Sequence, residues 1–467
     1  MLVEACLLII PAIVGLIYHE QESFRAFLIS ACAAAAAGGA LILVKSEGSN
    51  VYAREGFAIV GLSWIMLSLF GCLPFVISRQ IPSFVDAFFE TVSGFTTTGS
   101  SILTDIEVLD KSILFWRSFT HWVGGMGVLV FSMIIIPLGG KRSMHLLRAE
   151  SPGPSSGKLV PKMRNTAQIL YGIYIALSVI LLIFLLAGGM SLFDSLINVF
   201  GTAGTGGFSN YGASIAYFDS EYVDVVIGIF MILFGVNFNL YFLIFLKRGK
   251  VALRSEELHW YLGIIAFAVI TIAVNINSIY GSVHQSLRHS FFQVASVITT
   301  TGFATMDFDL WPQYSRHLLV MLLFVGACAG STGGGLKVSR VILLLRTVKR
   351  GMRRMIHSKS VEKVRFEGHV IEEETINTCL VYLAIYCLTG IISVVLLSLN
   401  NFTFETNVTA VISCMNNIGP GLGMVGPTGN FAAFSAFSKL LLSFDMLAGR
   451  LEFLPILLLF SRTTWKR

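Results

Sequence analysis

Gly94-Phe-Thr-Thr-Thr-Gly99 is the stretch that decides how this chain folds, because it recurs. Gly201-Thr-Ala-Gly-Thr-Gly-Gly207 and Ile298-Thr-Thr-Thr-Gly302 carry the same threonine–glycine signature, and Asn416-Asn-Ile-Gly-Pro-Gly421 is a looser fourth copy. Aligned on Gly99, Gly207, Gly302 and Gly419, the copies stand 108, 95 and 117 residues apart. Spaced self-similarity is read before any single motif, since it fixes the architecture. In the second copy Gly206 and Gly207 compete for the matching place. Sixteen residues back from the four aligned glycines stand Ser83, Ser191, Ser286 and Thr403, a hydroxyl each time. Three residues further on come Asp86, Asp194, His289 and Thr406. A hydroxyl at the N-cap with a polar or acidic residue in the first turn starts a helix. The count favours Gly207 and predicts a short helix of about three turns ahead of each signature.

Outward from the signatures, the chain is apolar almost throughout. Of its 467 residues 55% are apolar and 13% charged, where soluble domains run near a quarter charged. Apolar stretches near the length that crosses a hydrocarbon core are Met1–Ile17, Phe24–Val44, Phe57–Ile77, Ile113–Pro137, Ile169–Gly188, Val223–Leu246, Leu258–Ile279, His317–Leu345, Ile376–Leu399 and Phe434–Phe460. These predict an all-α integral membrane protein with ten transmembrane helices and no soluble domain. The first stretch lacks a basic leader and is followed by more of the same, so it reads as a span, not a cleaved signal.

The formal charge of +6 is gathered in linkers and does not signal nucleic acid. Lys141–Arg164, Lys247–Arg254, Arg346–Arg365 and Arg462–Arg467 are basic, while Asp105–Asp110, Asp219–Asp224 and Asp307–Asp309 between them are acidic. Lysine and arginine mark the cytoplasmic side, which puts both termini there and all four signatures toward the other face. The seven cysteines form no CxxC pair or ligand cluster and read as buried packing residues. No Ser/His/Asp set, HExxH or carboxylate cluster supports an enzyme.

One Thr-Thr-Thr-Gly has a bland reading as a small-residue helix contact. Four copies on one face, each between two spans, call for another. The repeat becomes spanning helix, short re-entrant helix, extended strand, spanning helix. Non-helical backbone survives at membrane depth only where protein buries it or where it lines water. Four such strands around an axis supply rings of carbonyl oxygens that replace an ion's hydration shell, as in potassium-channel filters. The short helices aim their partially negative C-termini at the same axis. The carbonyl donors are expected from Thr97, Thr98, Gly99, Thr205, Gly206, Gly207, Thr300, Thr301, Gly302, Asn417, Ile418 and Gly419.

At these residues the sequence resembles the Trk/Ktr/HKT superfamily of potassium transporters, most of all the TrkH/TrkG-type membrane subunit of bacterial Trk systems. The likeness runs over nearly the whole chain. Its most specific pieces are Asp86-Ala-Phe-Phe-Glu90 leading into Thr96-Thr-Thr-Gly99, Trp122-Val-Gly-Gly-Met-Gly127, Arg148-Ala-Glu-Ser-Pro-Gly-Pro154, Gly326-Ala-Cys-Ala-Gly-Ser-Thr-Gly-Gly-Gly335, Asn417-Ile-Gly-Pro-Gly-Leu-Gly423 and Gly449-Arg-Leu-Glu452. The resemblance implies a homodimer in the cell membrane, each protomer with its own gated, potassium-selective pore. It implies a cytoplasmic TrkA-like ring that binds nucleotide, with no cofactor held covalently by this chain. It divides the chain into an N-terminal helix pair (1–50) and four pseudo-symmetric helix–pore-loop–helix repeats (51–140, 141–250, 251–365 and 366–467). Glycine at position 99 goes with potassium selectivity in this superfamily, and serine with sodium. Ala203-Gly204 and Ile418 depart from the Thr-Thr-Thr-Gly pattern.

Five glycines in Gly326–Gly335 interrupt the stretch His317–Leu345. Leu336 separates Gly335 from Lys337, so the P-loop spacing GxxxxGK[ST] is not met. Glycine at that density breaks a helix. A glycine-rich packing face is the plain reading. By resemblance the segment is an intramembrane gate below the filter, with Gly326, Gly330, Ser331, Thr332, Gly333, Gly334, Gly335 and Arg450 as its parts. An arginine midway along a span costs at least about 2.5–3.5 kcal/mol and needs a partner. Either loop carbonyls or Glu452 supply it, while Lys337 and Arg340 are expected near the cytoplasmic mouth. His121 reads as a packing residue. Glu90, Asn198 and Gln293 share one place in three copies and read as polar braces of the short helices. A sodium- or proton-coupled potassium symporter is the alternative mechanism.

Overall fold

The computed structural model describes residues 1–43, 53–127, 163–357 and 362–465. The basic residues Lys141, Arg142, Arg148, Lys158, Lys162, Lys359, Lys466 and Arg467, the motif Arg148–Pro154 and the inner part of the expected span Ile113–Pro137 lie outside them.

Helices dominate, and the only strands among the described residues are β1 (Arg365–Phe366) and β2 (His369–Val370), an antiparallel hairpin. Five helices are long and apolar enough to cross a membrane: Gln21–Leu43, Glu55–Ile77, Ala167–Ala187, Glu256–Tyr280 and Glu373–Asn400. Leu2–Ile17 is a shorter apolar helix packed on Gln21–Leu43.

Three further expected spans are interrupted. Glu221–Phe234 and Phe238–Phe245 meet at 88°, so Val223–Leu246 is not one straight helix. The break falls at Gly235-Val-Asn237, where the Asn237 side chain accepts from the Asn239 amide and starts a new helix. His317–Leu345 divides into Gln313–Phe324 and Val338–Ile356 around the five-glycine segment. Phe434–Phe460 divides into Ala436–Arg450 and Leu454–Leu459, with Glu452 and Phe453 at φ +56° and +63°. Ten uninterrupted spans are therefore not what these sequences build. Hydropathy sees the apolar run and not the break within it.

The four short helices are present: Phe84–Phe95, Leu192–Gly204, Val283–Ile298 and Phe404–Asn416, numbered one to four here. Ser83, Ser191 and Thr403 cap the first, second and fourth through the amides of Asp86, Asp194 and Thr406. Ser286 differs. The third helix starts four residues earlier at Ser282, and the Ser286 hydroxyl donates back to the Ser282 carbonyl at 2.9 Å.

Their packing is cyclic. Lys111–Gly125 lies between short helices one and two, Glu221–Phe234 between two and three, Gln313–Phe324 between three and four, and Ala436–Arg450 between four and one. Trp64, Trp116, Phe89, Phe95, Phe208, Phe234 and Phe292 are among the largest fully buried side chains. Cys72, Cys328, Cys379 and Cys414 are buried as expected, but Cys6, Cys32 and Cys387 are exposed. Those three point outward from apolar helices, where a small apolar side chain costs nothing beside lipid.

Candidate ion pathway

Each short helix runs C-terminally into its signature, and all four signatures take the same backbone path. Thr97, Thr205, Thr300 and Asn417 have φ of +56°, +54°, +59° and +56°. Two residues on, Gly99, Gly207, Gly302 and Gly419 have φ of +82°, +78°, +80° and +101°. The repeated left-handed pair puts the second strand in register at Gly207, not Gly206. Thr97, Thr205 and Thr300 adopt a conformation that costs an L-residue about 1–2 kcal/mol, and it persists because the surroundings over-determine it.

The strands close into a ring. A Cβ on Gly99 would stand 2.1 Å from the Gly206 carbonyl oxygen, one on Gly207 2.0 Å from that of Thr301, and one on Gly302 2.0 Å from that of Ile418. A Cβ on Gly419 would stand 2.8 Å from the Thr98 carbonyl oxygen. Strand one thus abuts two, two abuts three, three abuts four, and four returns to one. Both the positive φ and the neighbour's carbonyl favour glycine at these four places. Above them a cavity opens, its floor made by all four glycines and its wall by Ser100, Phe208, Ala304 and Pro420.

Side chains behind the strands differ where the signatures differ. Thr96 bonds Thr98, and Thr299 bonds Thr301, hydroxyl to hydroxyl at 2.8 Å in both. The second copy has Gly204 and Gly206 in those places, and the His121 ring occupies the space, 2.3 Å from where a Gly206 Cβ would lie. His121 Nδ1 is 2.8 Å from the Gly94 carbonyl, and Nε2 accepts from the Phe208 amide at 3.3 Å. One neutral tautomer satisfies both contacts, which makes His121 a strut. In the fourth copy the Asn417 amide donates to the Thr98 hydroxyl at 3.0 Å and to the Met446 carbonyl at 2.9 Å.

Glu90 braces the first signature. Its carboxylate accepts from Ser101 Oγ and the Ile102 amide at 2.9 Å each and pairs with buried Arg117 at 2.5 Å. Arg117 reaches on to the Ser209 carbonyl at 2.9 Å and lies 3.6 Å from the Phe208 ring centroid, tying copy one to copy two. Gln293 plays the same part in copy three by donating to the Met306 carbonyl at 3.2 Å. Asn198 does not: its amide donates within its own helix to Asp194 at 2.8 Å. Arg117 was missed by the motif reading, although an arginine inside an apolar stretch is itself a signal.

The five-glycine segment lies directly under strands three and four. The Gly334 amide donates to Thr300 Oγ1 at 2.7 Å, and a Cβ on Gly334 would stand 2.5 Å from the Asn416 carbonyl oxygen. The broken second-copy helix receives the segment's other side. Gly235 accepts from the Cys328 amide at 3.0 Å, Phe234 from Thr332 Oγ1 at 3.2 Å, and Gly330 from the Phe238 amide at 3.0 Å. Backbone groups freed by the 88° break therefore meet polar groups of the glycine segment, as membrane burial demands.

Arg450 joins this segment to copy one. Its guanidinium donates to the Thr332 carbonyl at 2.8 Å and to those of Gly124 and Gly125 at 2.5 and 3.0 Å. Loop carbonyls thus serve it. Glu452 pairs instead with buried Arg340, which also lies 4.3 Å from the Tyr382 ring centroid. Glu452 lies past the end of Ala436–Arg450 at φ +56° and is taken up by Arg340, not Arg450. Lys337 and Arg340 are both partnered. Lys337 Nζ folds back onto the carbonyls of Gly333 and Gly334.

The cyclic geometry has known counterparts. The TrkH family model, described as a cation transport protein, matches residues 19–466. The chain is 37% identical over 465 residues to the Trk system potassium uptake protein TrkH of Salmonella typhimurium and to that of Escherichia coli, covering 98% of this chain and 96% of each relative. It is 31% identical to the Trk system potassium uptake protein TrkG of Escherichia coli, over 98% of this chain and 94% of that one. The crystal structure of the potassium transporter TrkH from Vibrio parahaemolyticus matches with a TM-score of 0.88 at 30% identity, covering 99% of this chain and 96% of that one. Ringed strands, bracing charges and whole-length likeness agree, and this chain is a member of the TrkH family of cation transport proteins.

Proposed function

We propose that this chain is a potassium-uptake subunit of the cell membrane, a gated and channel-like pore formed by four pseudo-symmetric repeats (51–140, 141–250, 251–365 and 366–467) behind an N-terminal helix pair. The closed ring of four strands carries the reading. Carbonyls of Thr97, Thr98, Gly99, Thr205, Gly206, Gly207, Thr300, Thr301, Gly302, Asn417, Ile418 and Gly419 are the potassium ligands, replacing the hydration shell of an ion on the axis. The four short helices end beneath them, and each adds about half a negative charge at its C-terminus. No proton or covalent step is needed, because the work is desolvation and its compensation.

The gate comprises Gly326, Gly330, Ser331, Thr332, Gly333, Gly334, Gly335 and Arg450. Its support is the segment's seat against Thr300 and Asn416 and its tie to Arg450. A cation at about 10 Å from the guanidinium meets a repulsion on the order of 1–2 kcal/mol at an effective dielectric of 20. That barrier falls when the segment and Arg450 withdraw together. A homodimer controlled by a cytoplasmic nucleotide-binding ring follows from the family resemblance, and the basic linkers support cytoplasmic termini. The relatives' names, which place them in a Trk system, agree with further subunits. The test is growth at limiting potassium of cells lacking their own uptake systems. The chain should restore growth and its Gly207→Val variant should not; failure of both, with the wild type in the membrane, would overturn the reading.

A further inference from the structure

Glu257 is buried, with 5% of its surface exposed, in the first turn of Glu256–Tyr280, and it belongs to none of the four signatures. Its Oε1 accepts from the Ala329 amide at 2.8 Å and from the Ser339 amide at 3.1 Å. Those amides stand on either side of Gly330–Gly335, so one oxygen closes the glycine segment like a clasp. A carboxylate accepting two amide hydrogens makes stronger bonds than a neutral acceptor, and both amides would otherwise be buried and unpaired.

The same helical turn is held from the other direction. Glu367, between β1 and β2, accepts from Ser255 Oγ at 2.7 Å and from the Glu257 amide itself at 3.1 Å. Its own amide donates to Glu256 at 3.3 Å, and Arg346 bonds both Glu256 and the Arg365 carbonyl. Glu367 has φ +50°, a left-handed turn position that fixes where its carboxylate points. Hairpin, helix N-terminus and glycine segment thus form one connected chain of hydrogen bonds.

We infer that Glu257 is a positioning residue that clasps the gate segment shut, and that Glu367 of the hairpin sets where the clasp sits. Pushing the hairpin away from Ser255 loosens Glu257 and frees the segment to leave the axis. A partner that acts on the basic side of the protein then needs no contact with the gate itself. The inference rests on the gate reading above, and the experiment separates the two.

Rubidium influx is measured in proteoliposomes holding the whole chain, with a variant lacking Gly330–Gly334 as the reference for an open path. Glu257→Ala should raise basal influx about tenfold, the factor that one modest net hydrogen bond makes in a two-state equilibrium, with the rubidium-to-sodium ratio unchanged. Glu257→Gln keeps an oxygen acceptor, though a neutral one, and should fall between wild type and Glu257→Ala. Glu367→Ala should rise by a lesser amount. If Glu257→Ala does not fold, Glu257→Asp carries the test, since one methylene less reaches one amide but not both. Raised influx in the shortened variant with wild-type influx in the Ala and Asp variants would overturn the clasp and leave the gate standing. Equal loss of folding in the Gln, Asp and Ala variants would overturn it too, because the clasp predicts partial rescue by Gln. Unaltered influx in the shortened variant would instead sink the gate reading.

Discussion

Gly99→Ser should weaken discrimination against sodium by about tenfold, and the structure says why. The added Cβ lands 2.1 Å from the Gly206 carbonyl oxygen and 3.2 Å from its carbon. Ordinary contact begins near 3.4 Å, so the shortfall exceeds an ångström, and what must yield is backbone of the neighbouring strand. The residue also stands at φ +82°, which adds about 1–2 kcal/mol for any side chain. Overpacking costs a further ~1–3 kcal/mol, relieved by moving strand two off the axis. A shift of a few tenths of an ångström in a carbonyl ring alters the fit to potassium and to smaller sodium differently. A differential of only about 1.4 kcal/mol is tenfold in selectivity. The assay is competition of sodium against rubidium influx in proteoliposomes. Gly419→Ala is the steric comparison, because its nearest carbonyl oxygen lies at 2.8 Å and less movement relieves it. A Gly99→Ser protein that folds and keeps the wild-type ratio would refute the reasoning, ring and register together.

Two further outcomes follow from the buried charges. Arg450→Ala deletes the bridge from Thr332 to Gly124 and Gly125 and should raise basal rubidium influx severalfold, with Arg450→Lys between it and wild type because one ammonium cannot span both segments. Glu90→Ala leaves Arg117 buried beside no carboxylate; a loss of about 3–5 kcal/mol should appear as a large drop in the melting temperature of the solubilised protein, with Glu90→Gln losing less.

The signature glycines were legible because backbone geometry forces their identity. A positive φ against a neighbour's carbonyl penalises any side chain, so Gly99, Gly207, Gly302 and Gly419 stand out in the sequence. Three of the four N-caps were legible for a like reason, the side chain acting on its own helix start. Ser286 was not, since serine also bonds a carbonyl four residues back inside a helix. Hydropathy could not reveal the 88° break at Gly235–Asn237, whose freed carbonyls find partners about 95 residues away in the glycine segment. Long-range pairings such as Arg340 with Glu452, or Glu257 with Ala329 and Ser339, have no local signature at all. What could have been read is that Arg117, inside an apolar stretch, had to have a partner.

The most direct test of the central claim is rubidium influx into proteoliposomes containing this chain alone, with potassium, sodium and choline as competitors. Saturable influx inhibited by potassium far more than by sodium, and not by choline, is the predicted result. Absence of influx both in the wild type and in the variant lacking Gly330–Gly334, with each protein folded and reconstituted, would contradict a pathway through the four-strand ring.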